Sequence, residues 1–434
     1  MRRNTRWGAL AAAGAAAVLV LAGCGAGDGG KSSSGGSMTL LSEWTDGGSA
    51  ASIQSTIDSW NKANPDNKMT QRSIGNEDFM TASRTAMSGD NPPDVLQFEG
   101  FSDTVDYAKA GKLVDLTGWW NANKSRFALA DSPGVTRSCT YQGKVYCVPM
   151  SSNAQSVLFY NAKMLADNGI APPKTYDDVV AAGEKLNAKG ITPIALGDKD
   201  GWPGAQLWMT FVAQLCGTTM ADQAVDRKGP KWTDQCFTDA AAQVDSLRQK
   251  GFFPKGVVSD DYNGMVSLFE SGKAAFISTG SWFIGSWQSA PPPFQVGAEY
   301  FPPVTGAAHP DDKVAYGGDV VGIPTGGKNQ AEAMKFLDYM TSLDQAKVWA
   351  KNYYFSAVKG AVAASGPANI KDLYDQTASA ENTLGSLDLQ LPPAVGQDVL
   401  YNSFQSLLGG KTTPQQFTAA LEKSAQATQG PSQP

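Results

Sequence analysis

Trp282 is the residue whose type and position say most about possible chemistry. It follows an apolar run, Ala274 to Ile277, which predicts a short strand buried on both faces of a parallel sheet. Ligands of open α/β sheets bind beyond the carboxyl ends of strands, so the indole is expected at a ligand site after a sharp turn at Gly280. Its flat apolar face, with an N–H at the edge, suits a sugar ring with C–H groups on one side and hydroxyls around its rim. A core position is the alternative, since tryptophans are highly buried on average.

Several kinds of catalytic and binding chemistry lack the residues that they need. The one histidine, His309, lies in a Pro/Asp/Gly-rich stretch that predicts a surface loop, so no Ser-His or Cys-His catalyst is expected. The sequence has no G-x-x-x-x-G-K-[ST] phosphate loop and no cluster of metal ligands. Residues 317–322 are glycine-rich, but no helix signal opens at their last glycine, as a dinucleotide loop requires. We therefore expect no cofactor and no metal.

Carboxylates keep an enzyme open as an alternative. A secreted glycosidase needs only two of them with aromatic platforms, and the chain offers Glu43, Asp94, Glu99 and Asp319. The same groups can instead hold sugar hydroxyls by charge-assisted hydrogen bonds, without any reaction. Acids beside aromatic rings would also suit a polyamine. The residues alone leave a polyamine or a peptide open as the ligand.

Length and composition bound the class of protein. A chain of 434 residues is too long for one ordinary core, so two domains are expected. Charged residues make up 18% and hydrophobic residues 42%, as in folded soluble proteins rather than disordered ones. The net charge is −6 and no basic stripe is visible, so nucleic acid is not an expected partner.

The first residues predict export and a lipid anchor. Arg2, Arg3 and Arg6 precede an apolar run, 9–22, that is too short to span a bilayer in the mature protein. It ends in Leu21-Ala22-Gly23-Cys24, which resembles a bacterial lipobox, so we expect a signal peptide over 1–23 and lipid on the Cys24 thiol. Residues 24–37 are rich in Gly and Ser and predict a flexible tether. The protein is expected to contact the membrane only through that anchor.

The remaining cysteines predict two disulfides, because an exported chain meets an oxidising compartment. Four cysteines allow three connectivities. Cys139 and Cys147 flank Gln142-Gly143-Lys144, a hairpin-turn signal, and an odd loop centred on Gly143 would place them directly opposite each other. That favours Cys139–Cys147, which leaves Cys216–Cys236.

Strand and helix signals alternate over the first 110 residues, which is typical of parallel α/β structure. Strands are predicted at 38–44, 68–74 and 93–98, and helices at 49–63, 79–88 and 102–110. Thr175 with Asp178 and Ser342 with Gln345 predict capped helix starts, and Thr413-Pro414 predicts a helix that ends near Thr428. Later predictions are a hairpin at 137–148, a strand at 191–196, and helices near 206–216, 238–250, 262–270, 331–340 and 342–351.

Several short sequence motifs in the chain resemble those of one family. They are F-E-S-G-K-A-A-F followed by G-S-W at 280–282, G-K-V-Y-C-V-P at 143–149, L-F-Y-N at 158–161 and Y-G-G-D-V-V-G-I at 316–323. In this order and spacing they resemble the extracellular solute-binding proteins that feed sugar ABC importers, the group that includes maltodextrin-binding protein. In that group, the tryptophan of the G-S-W word stacks on the sugar.

The resemblance implies an α/β, two-lobed periplasmic-binding-protein-like fold, with each lobe a mostly parallel sheet flanked by helices. It places chain crossings near 150–156, 316–323 and 352–358, which together would form a three-crossing hinge. Lobe 1 would then contain residues 38–151 and 318–352, and lobe 2 residues 155–316 and 356–434.

Resemblance and placement at strand ends together predict the binding residues. The first lobe supplies the ends of the first and third strands, the crossings supply polar groups and tyrosines, and the second lobe supplies tryptophans. The expected set is Glu43, Trp44, Glu99, Phe101, Asn153, Trp202, Trp208, Trp282, Gly318, Asp319, Tyr353 and Tyr354. Relatives carry a proline in the third crossing, and this chain does not.

We therefore expect a monomeric, lipid-anchored binding protein rather than an enzyme. It would capture a mono- or oligosaccharide between its lobes, on the outer face of the cell membrane, and deliver it to the permease of an ABC importer.

Overall fold

The computed structural model describes residues 36–428 apart from residues 46, 129, 289, 317, 367 and 381. The predicted signal peptide, Cys24 and most of the predicted tether lie outside the described residues. The described chain belongs to one compact unit that begins at Gly36. None of its helices is both long enough and apolar enough to cross a membrane.

The strands of the described chain fall into two main sheets and two small ones. In chain order they are β1 (Met38–Ser42), β2 (Met69–Ser73), β3 (Val95–Phe98), β4 (Thr140–Tyr141), β5 (Lys144–Val145), β6 (Val148–Pro149), β7 (Asn153–Ala154), β8 (Val157–Asn161), β9 (Thr192–Ala195), β10 (Ala274–Thr279), β11 (Val296–Tyr300), β12 (Lys313–Tyr316), β13 (Val320–Gly322) and β14 (Thr383–Leu384).

Helices connect and flank these strands. They are α1 (Gly47–Ala63), α2 (Asn76–Ser88), α3 (Ser102–Lys109), α4 (Thr117–Asn123), α5 (Pro133–Cys139), α6 (Ala162–Asp167), α7 (Tyr176–Asn187), α8 (Trp202–Cys216), α9 (Thr218–Val225), α10 (Gln235–Gln249), α11 (Tyr262–Glu270), α12 (Gln330–Met340), α13 (Leu343–Lys351), α14 (Ala361–Ser365), α15 (Ala368–Ala378), α16 (Leu387–Gln390), α17 (Leu400–Leu408) and α18 (Pro414–Ala427). Short 3₁₀ helices lie at Lys124–Arg126 and Ser281–Gln288, and a π turn at Ala394–Val399 precedes α17.

The first sheet has the order β2-β1-β3-β13-β6. β1 runs parallel to both β2 and β3, as the early alternation of strands and helices predicts. β13 lies more than two hundred residues after β3 in the sequence. It pairs antiparallel with both β3 and β6. The sheet is therefore mixed, and β13, from late in the sequence, joins β6 to the rest of it.

The second sheet has the order β11-β8-β10-β9 and is also mixed. β10 is fully buried and runs parallel to β9, which agrees with the apolar run at 274–277. Its other neighbour, β8, is antiparallel to it, and β11 continues that antiparallel edge. The sequence predicts mostly parallel sheets. That prediction is correct for β1 with β2 and β3 and for β9 with β10. It is wrong for the pairs made by β8 and β13, which are antiparallel.

The two main sheets are built from different parts of the chain, and three segments that connect these parts pair with one another. β7 pairs antiparallel with β12, and the Met150 N–H donates to the Asp319 carbonyl at 2.8 Å. Residues 355–357 pair with this group through Ser152 N–H to Phe355 O, at 2.8 Å, and Ala357 N–H to Met150 O, at 2.9 Å. The three predicted crossings therefore meet through backbone hydrogen bonds.

Both disulfides have the favoured pairing, but the predicted geometry of the first is wrong. Cys139 ends α5 rather than lying in a long hairpin, and the hairpin is only β4 and β5 around a two-residue turn, Gln142-Gly143, with both φ angles positive. In that register the Tyr146 N–H donates to the Cys139 carbonyl at 2.8 Å, so Cys147 lies one residue past the opposite position. The Cys139–Cys147 bond joins the end of α5 to the segment between β5 and β6. The Cys216–Cys236 bond joins α8 to α10.

The predicted helix starts form as side-chain caps. Thr175 and Asp178 make a reciprocal capping box at α7, and Thr413 and Gln416 make another at α18, each satisfying two backbone N–H groups that a helix start leaves unpaired. At α13 the Ser342 hydroxyl accepts from the Gln345 N–H. Each of these helix starts is therefore capped by a side chain from its own segment, as the sequence predicts.

Candidate functional site

Three carboxylates come together where the first sheet meets the crossings. Glu43 follows β1, Glu99 follows β3 and Asp319 immediately precedes β13. β13 is the neighbour of β3, so the sheet order brings residues 43, 99 and 319 to one edge. One oxygen from each side chain lies within 4.8 Å of one oxygen from each of the others. We refer to Glu43, Glu99 and Asp319 as the acid cluster.

Gln97 joins two members of the acid cluster. Its Nε2 donates to Glu43 Oε1 at 3.0 Å and to Asp319 Oδ1 at 3.2 Å, while its Oε1 accepts from the Glu43 backbone N–H at 2.8 Å. Gln97 is itself fully buried within β3, so its amide can hold the carboxylates only in this arrangement. The cluster is thereby fixed by the sheet and not by mobile surface chains.

Burial and mutual repulsion raise the pKa values of these acids. Removal from water raises the pKa of Glu43 well above its usual value, and the charges of Glu99 and Asp319 add to that effect. For Glu99, loss of hydration and then the Asp319 charge raise the pKa to about 7. Burial also raises the pKa of Asp319, against hydrogen bonds that favour its charged form. At neutral pH the cluster therefore shares protons among its members.

Two buried tryptophans and a half-buried tyrosine lie beside Asp319, and we call Trp44, Trp349 and Tyr354 the inner aromatic group. Trp44 Nε1 donates to Asp319 Oδ2 at 3.2 Å, and the Tyr354 hydroxyl donates to the same oxygen. The Trp349 ring lies 4.8 Å from that of Trp44 and 4.7 Å from that of Tyr354, both edge-on. Trp349 is in turn held by a 3.1 Å hydrogen bond from its Nε1 to Thr56 Oγ1 of α1.

A second set of rings, Trp202, Tyr262 and Trp282, lies at the end of the second sheet, and we call it the outer aromatic group. Trp282 is partly exposed, and its Nε1 donates to the Tyr262 hydroxyl at 3.1 Å. The Trp202 ring lies 4.6 Å from the Tyr262 ring and 6.0 Å from the Trp282 ring. This group leaves Trp282 partly exposed just past the carboxyl end of β10, where the sequence predicts a ligand.

Gly280 is required by the Trp282 ring itself and not by an unusual backbone angle. A Cβ at residue 280 would lie 2.0–2.3 Å from three atoms of the Trp282 indole, so any side chain there would displace the ring. The predicted role of Gly280 in a sharp turn is therefore replaced by a steric one: the missing side chain lets the indole fold back over the strand end.

Phe101 brings the two parts of the site into contact. It lies two residues past Glu99, and its ring packs with Leu389 of α16 and with Trp282. Gly100 and Phe101 both have positive φ angles, 77° and 48°, and the Phe101 N–H donates to the Ser138 carbonyl at 2.7 Å. This strained turn leads the chain from Glu99 of the acid cluster to the ring that packs on Trp282 of the outer aromatic group.

The family of the chain is decided by its sequence profile. The profile of the bacterial extracellular solute-binding proteins matches residues 43–347, well over half of the chain. The protein is a member of that family. As a solute-binding protein it is a transport receptor and not an enzyme.

Individual relatives and solved structures agree with this assignment. A multiple sugar-binding protein of Streptococcus mutans is 25% identical over 297 residues, 67% of this chain and 68% of that protein. The chain spans 42%, 57% and 60% of the length of three further curated relatives. A chitin oligosaccharide binding protein of known structure is 25% identical, with a TM-score of 0.79 over 90% of this chain and 98% of that one.

A structure from work on xylan utilisation by Caldanaerobius polysaccharolyticus shows the same fold. Its TM-score is 0.81 at 22% identity, over 89% of this chain and 99% of that one. The solute-binding protein therefore has the α/β periplasmic-binding-protein-like fold predicted from its sequence, with mixed sheets flanked by helices.

The solute-binding protein brings most of its predicted binding residues together. Glu43, Trp44, Glu99, Asp319 and Tyr354 belong to the acid cluster and the rings behind it, while Phe101, Trp202 and Trp282 belong to the other part of the site. Trp44 is only 3% exposed, so it positions Asp319 and offers no open face.

Asn153 and Gly318 support the site from the crossings. Asn153 is 8% exposed, and its Oδ1 accepts from the hydroxyl of Ser281, the residue before Trp282, at 3.3 Å. A Cβ at residue 318 would lie 2.2 Å from Asn153 Nδ2, so Gly318 allows the first two crossings to approach closely. Both residues hold the crossing segments and the outer aromatic group in register.

Trp208 lies away from the other predicted site residues. Trp208 is fully buried, its Nε1 donates to the Phe237 carbonyl, and its ring packs on Trp232 and Phe417, so its prediction as a binding residue is wrong. It lies inside α8, where the helical period turns it toward α10 and α18. Tyr353 takes a positive φ of 65° and packs on the main core, and among the described residues no hydrogen bond joins it to the acid cluster.

Sequence reasoning missed Gln97, Tyr262, Asp388 and Gln390. Gln97 had a signal, since it is a polar residue of the predicted third strand and lies two residues before Glu99, on the same side of the chain. Asp388 is buried, its Oδ2 accepts from the Tyr401 hydroxyl at 2.6 Å, and its charge acts on Glu99. No motif marks residues 386–390, so only the folded chain shows that they face the site.

Proposed function

We propose that this solute-binding protein captures a carbohydrate and delivers it to the permease of an ABC importer. The observation that carries the proposal is the contact of a partly exposed Trp282 with Phe101, which lies two residues past Glu99 of the acid cluster. A sugar ring needs both an apolar platform and strong hydrogen-bond acceptors. The sugar-binding names of the Streptococcus mutans relative and of the chitin oligosaccharide binding protein support the same class of ligand.

Two lobes would close on the sugar. Residues 38–151 with 318–352 form lobe 1, and residues 155–316 with 356–434 form lobe 2; the paired crossings near 150–156, 316–323 and 352–358 act as the hinge. The acid cluster belongs to lobe 1 and the outer aromatic group to lobe 2, so a sugar that contacts both favours the closed state by its differential affinity. The permease would recognise that closed state.

A glycosidase is the weaker alternative because of the spacing of the acids. Retaining and inverting glycosidases hold their two carboxyl groups about 5–5.5 Å and about 6.5–9.5 Å apart, on either side of the scissile bond. Here three carboxyl oxygens lie within 4.8 Å and Glu43 hydrogen-bonds to Glu99, which leaves no room for a glycosidic bond between them. We therefore expect bound sugar to stay intact after long incubation. Released reducing ends that disappear in Glu99→Gln or Asp319→Asn would favour the hydrolase.

Calorimetric titration with mono- and oligosaccharides tests the binding function directly. At least one sugar should bind with a stoichiometry near one, and Trp282→Ala should weaken it. Binding of spermidine or of a peptide, with no response to any sugar, would replace the carbohydrate by another class of ligand on the same fold.

The lipid anchor at Cys24 completes the proposal and rests on the lipobox-like sequence. Cys24→Ser should release the protein from membranes into the medium and leave sugar affinity unchanged, because the tether over 24–37 separates anchor from site. Continued retention of the variant on membranes would show that Cys24 is not the lipidated residue.

A further inference from the structure

Two buried glutamines have amide atoms that lack hydrogen-bond partners. Gln390, the last residue of α16, is 5% exposed, and neither its Oε1 nor its Nε2 has a partner among the described residues. Gln155, between β7 and β8, is 3% exposed, and its Oε1 has no partner in the same part of the chain. A buried polar group without a partner disfavours the state that buries it, so a polar ligand that supplied the partners would gain affinity.

The two amides border one short segment, Gly385-Ser386, just before α16. Gln155 Nε2 donates to Ser386 Oγ at 3.2 Å, and the Gln390 backbone N–H donates to the Ser386 carbonyl at 3.0 Å. Gln390 Nε2 lies 3.0 Å from the point that a Cβ on Gly385 would occupy. The unpaired atoms of both glutamines therefore belong to one region of the molecule.

This region adjoins the aromatic part of the site. The Phe101 Cζ also lies 3.0 Å from the Cβ position on Gly385, so the Gln390 amide and the tip of the Phe101 ring border the space that the missing side chain leaves. Leu389, the residue before Gln390, packs with Phe101 and Trp282. The Gln390 amide is therefore next to Phe101, the ring that packs on Trp282.

Opening of the lobes would uncover the Gln390 amide. In the division proposed above, Phe101 belongs to lobe 1, whereas Gln155 and residues 385–390 belong to lobe 2. Closure without sugar buries the Gln390 amide beside Phe101 with its polar atoms unpaired, and closure on a sugar would supply partners for them. An amide oxygen accepts hydrogen bonds and an amide nitrogen donates them, so a hydroxyl group, which does both, suits either atom.

From these contacts we propose that Gln390 and Gln155 bind hydroxyl groups of the sugar on the lobe 2 side of Phe101. This inference rests on the proposed carbohydrate function and adds two residues that select a sugar by its hydroxyl groups. A sugar that lacks the hydroxyl bound by Gln390 leaves the amide unpaired, so it should bind about 10- to 100-fold more weakly than the intact sugar.

A cycle of protein and ligand variants tests the contact. Calorimetry with glucose, galactose, N-acetylglucosamine, the β-1,4-linked dimers of glucose and N-acetylglucosamine, and raffinose identifies the sugar that binds most tightly. Its monodeoxy analogues are then titrated into the parent and into Gln390→Met, which keeps an unbranched side chain and removes the amide. The variant should bind the intact sugar about 10- to 100-fold more weakly. At least one analogue that the parent binds weakly should lose no further affinity in the variant, because the same hydrogen bond is already missing.

Gln155→Met provides the same test at the second amide and replaces Gln390→Met if that variant does not fold. Within the described chain, its side chain gives up only the 3.2 Å bond to Ser386 Oγ. It should also weaken the intact sugar, and its effect should disappear with one of the monodeoxy analogues.

Gln214 of α8 is a matched control, because it is a buried glutamine with both amide atoms paired. It is 4% exposed, its Nε2 donates to the Phe301 carbonyl at 3.1 Å, and its Oε1 accepts from the Val304 N–H at 3.2 Å. Gln214→Met should therefore lower the urea midpoint of the ligand-free protein and leave sugar affinity unchanged. Gln390→Met removes no side-chain hydrogen bond within the described chain, so its urea midpoint should equal or exceed that of the parent.

The outcomes separate the inference from the proposed function. Unchanged sugar affinity in both Gln390→Met and Gln155→Met overturns the inference and leaves the carbohydrate function intact. Weaker binding that is the same for the intact sugar and for every monodeoxy analogue shows that the amides only support the fold, and it also overturns the inference alone. A response of the parent to no sugar in the panel overturns both.

Discussion

The inner and outer aromatic groups use the same residue types for different tasks. Trp44, Trp349 and Tyr354 have their polar edges committed to Asp319 and α1, and both tryptophans of this group are buried. Trp202, Tyr262 and Trp282 contact one another, and both tryptophans of this group remain partly exposed. The difference shows that a tryptophan beside a carboxylate is not thereby a ligand platform. What decides is whether its face, and not only its N–H, is already used.

Removing a ring from the inner group should have the largest effect on folding. Trp349 is 1% exposed and touches both other members of its group, so Trp349→Ala should lower the free energy of unfolding by about 3–5 kcal/mol, as for other large buried side chains. Urea unfolding of the ligand-free protein measures this. A loss below that of Trp282→Ala would contradict the assignment of Trp349 to the core.

The acid cluster should make stability depend on pH. The pKa of Glu99 is raised from 4.5 to about 7, so the folded state binds its proton more tightly than the unfolded state does. This contribution is fully present below about pH 4.5 and is lost as the pH rises through about 7, so the free energy of unfolding should fall over that interval. At about 1.4 kcal/mol per pKa unit, its size is on the order of 3 kcal/mol.

Glu99→Gln isolates that effect, because it keeps the shape of the side chain and removes the charge. Unfolding measured between pH 4.5 and 8 should show a flatter profile for the variant and a gain in stability over the parent at pH 8. An unchanged slope would mean that Glu99 titrates normally in the folded protein.

Removing the open ring should affect binding more than folding. Trp282→Ala removes a partly exposed indole, so its thermal midpoint without sugar should fall much less than that of Trp349→Ala. Affinity for sugar should fall by about 1–3 kcal/mol, by analogy with bases stacked on aromatic side chains. If the variant melts far lower yet binds normally while folded, Trp282 is a core residue and the outer aromatic group is not part of the site.

The smallest expected effect is on the hydrogen bond within the outer group. Tyr262→Phe removes the hydroxyl that accepts from Trp282 Nε1 at 3.1 Å, while the ring contact with Trp202 remains. We expect a loss of about 0.5–1.5 kcal/mol in sugar affinity, since the indole becomes freer to rotate. Calorimetry of Tyr262→Phe and of Trp282→Ala compares the two losses of sugar affinity. Their ratio measures how much the contribution of Trp282 depends on its hydrogen bond to Tyr262. An affinity loss equal to that of Trp282→Ala would show that Tyr262 contacts the ligand itself.

The sequence predicts local and strand-end features well and contacts between distant segments poorly. The capped start of α7, the burial of β10 and the location of Glu99 and Trp282 after their strands all follow from short-range patterns. The antiparallel pairings of the two sheets do not, because β13 and β8 pair with strands that are distant in sequence.

The errors at single residues have the same origin. Trp202 and Trp208 lie in one helix, α8, six residues apart, and only the packing of α10 and α18 tells which one is covered. Gln390 belongs to a stretch without recognisable turns or periodicity, so its unpaired amide became visible only when α16 was placed beside Phe101. In both cases the deciding contact lies more than twenty residues away in sequence.

The position of β13 in the first sheet also bears on how the chain is made. It stands between β3 and β6, yet it is synthesised long after both of them. A chain growing from its N-terminus therefore carries an incomplete sheet, with a free edge on β3, until residue 322 has emerged. Pairing over so long a sequence separation is also slow to form. The first sheet can therefore be completed only late in the synthesis of the chain.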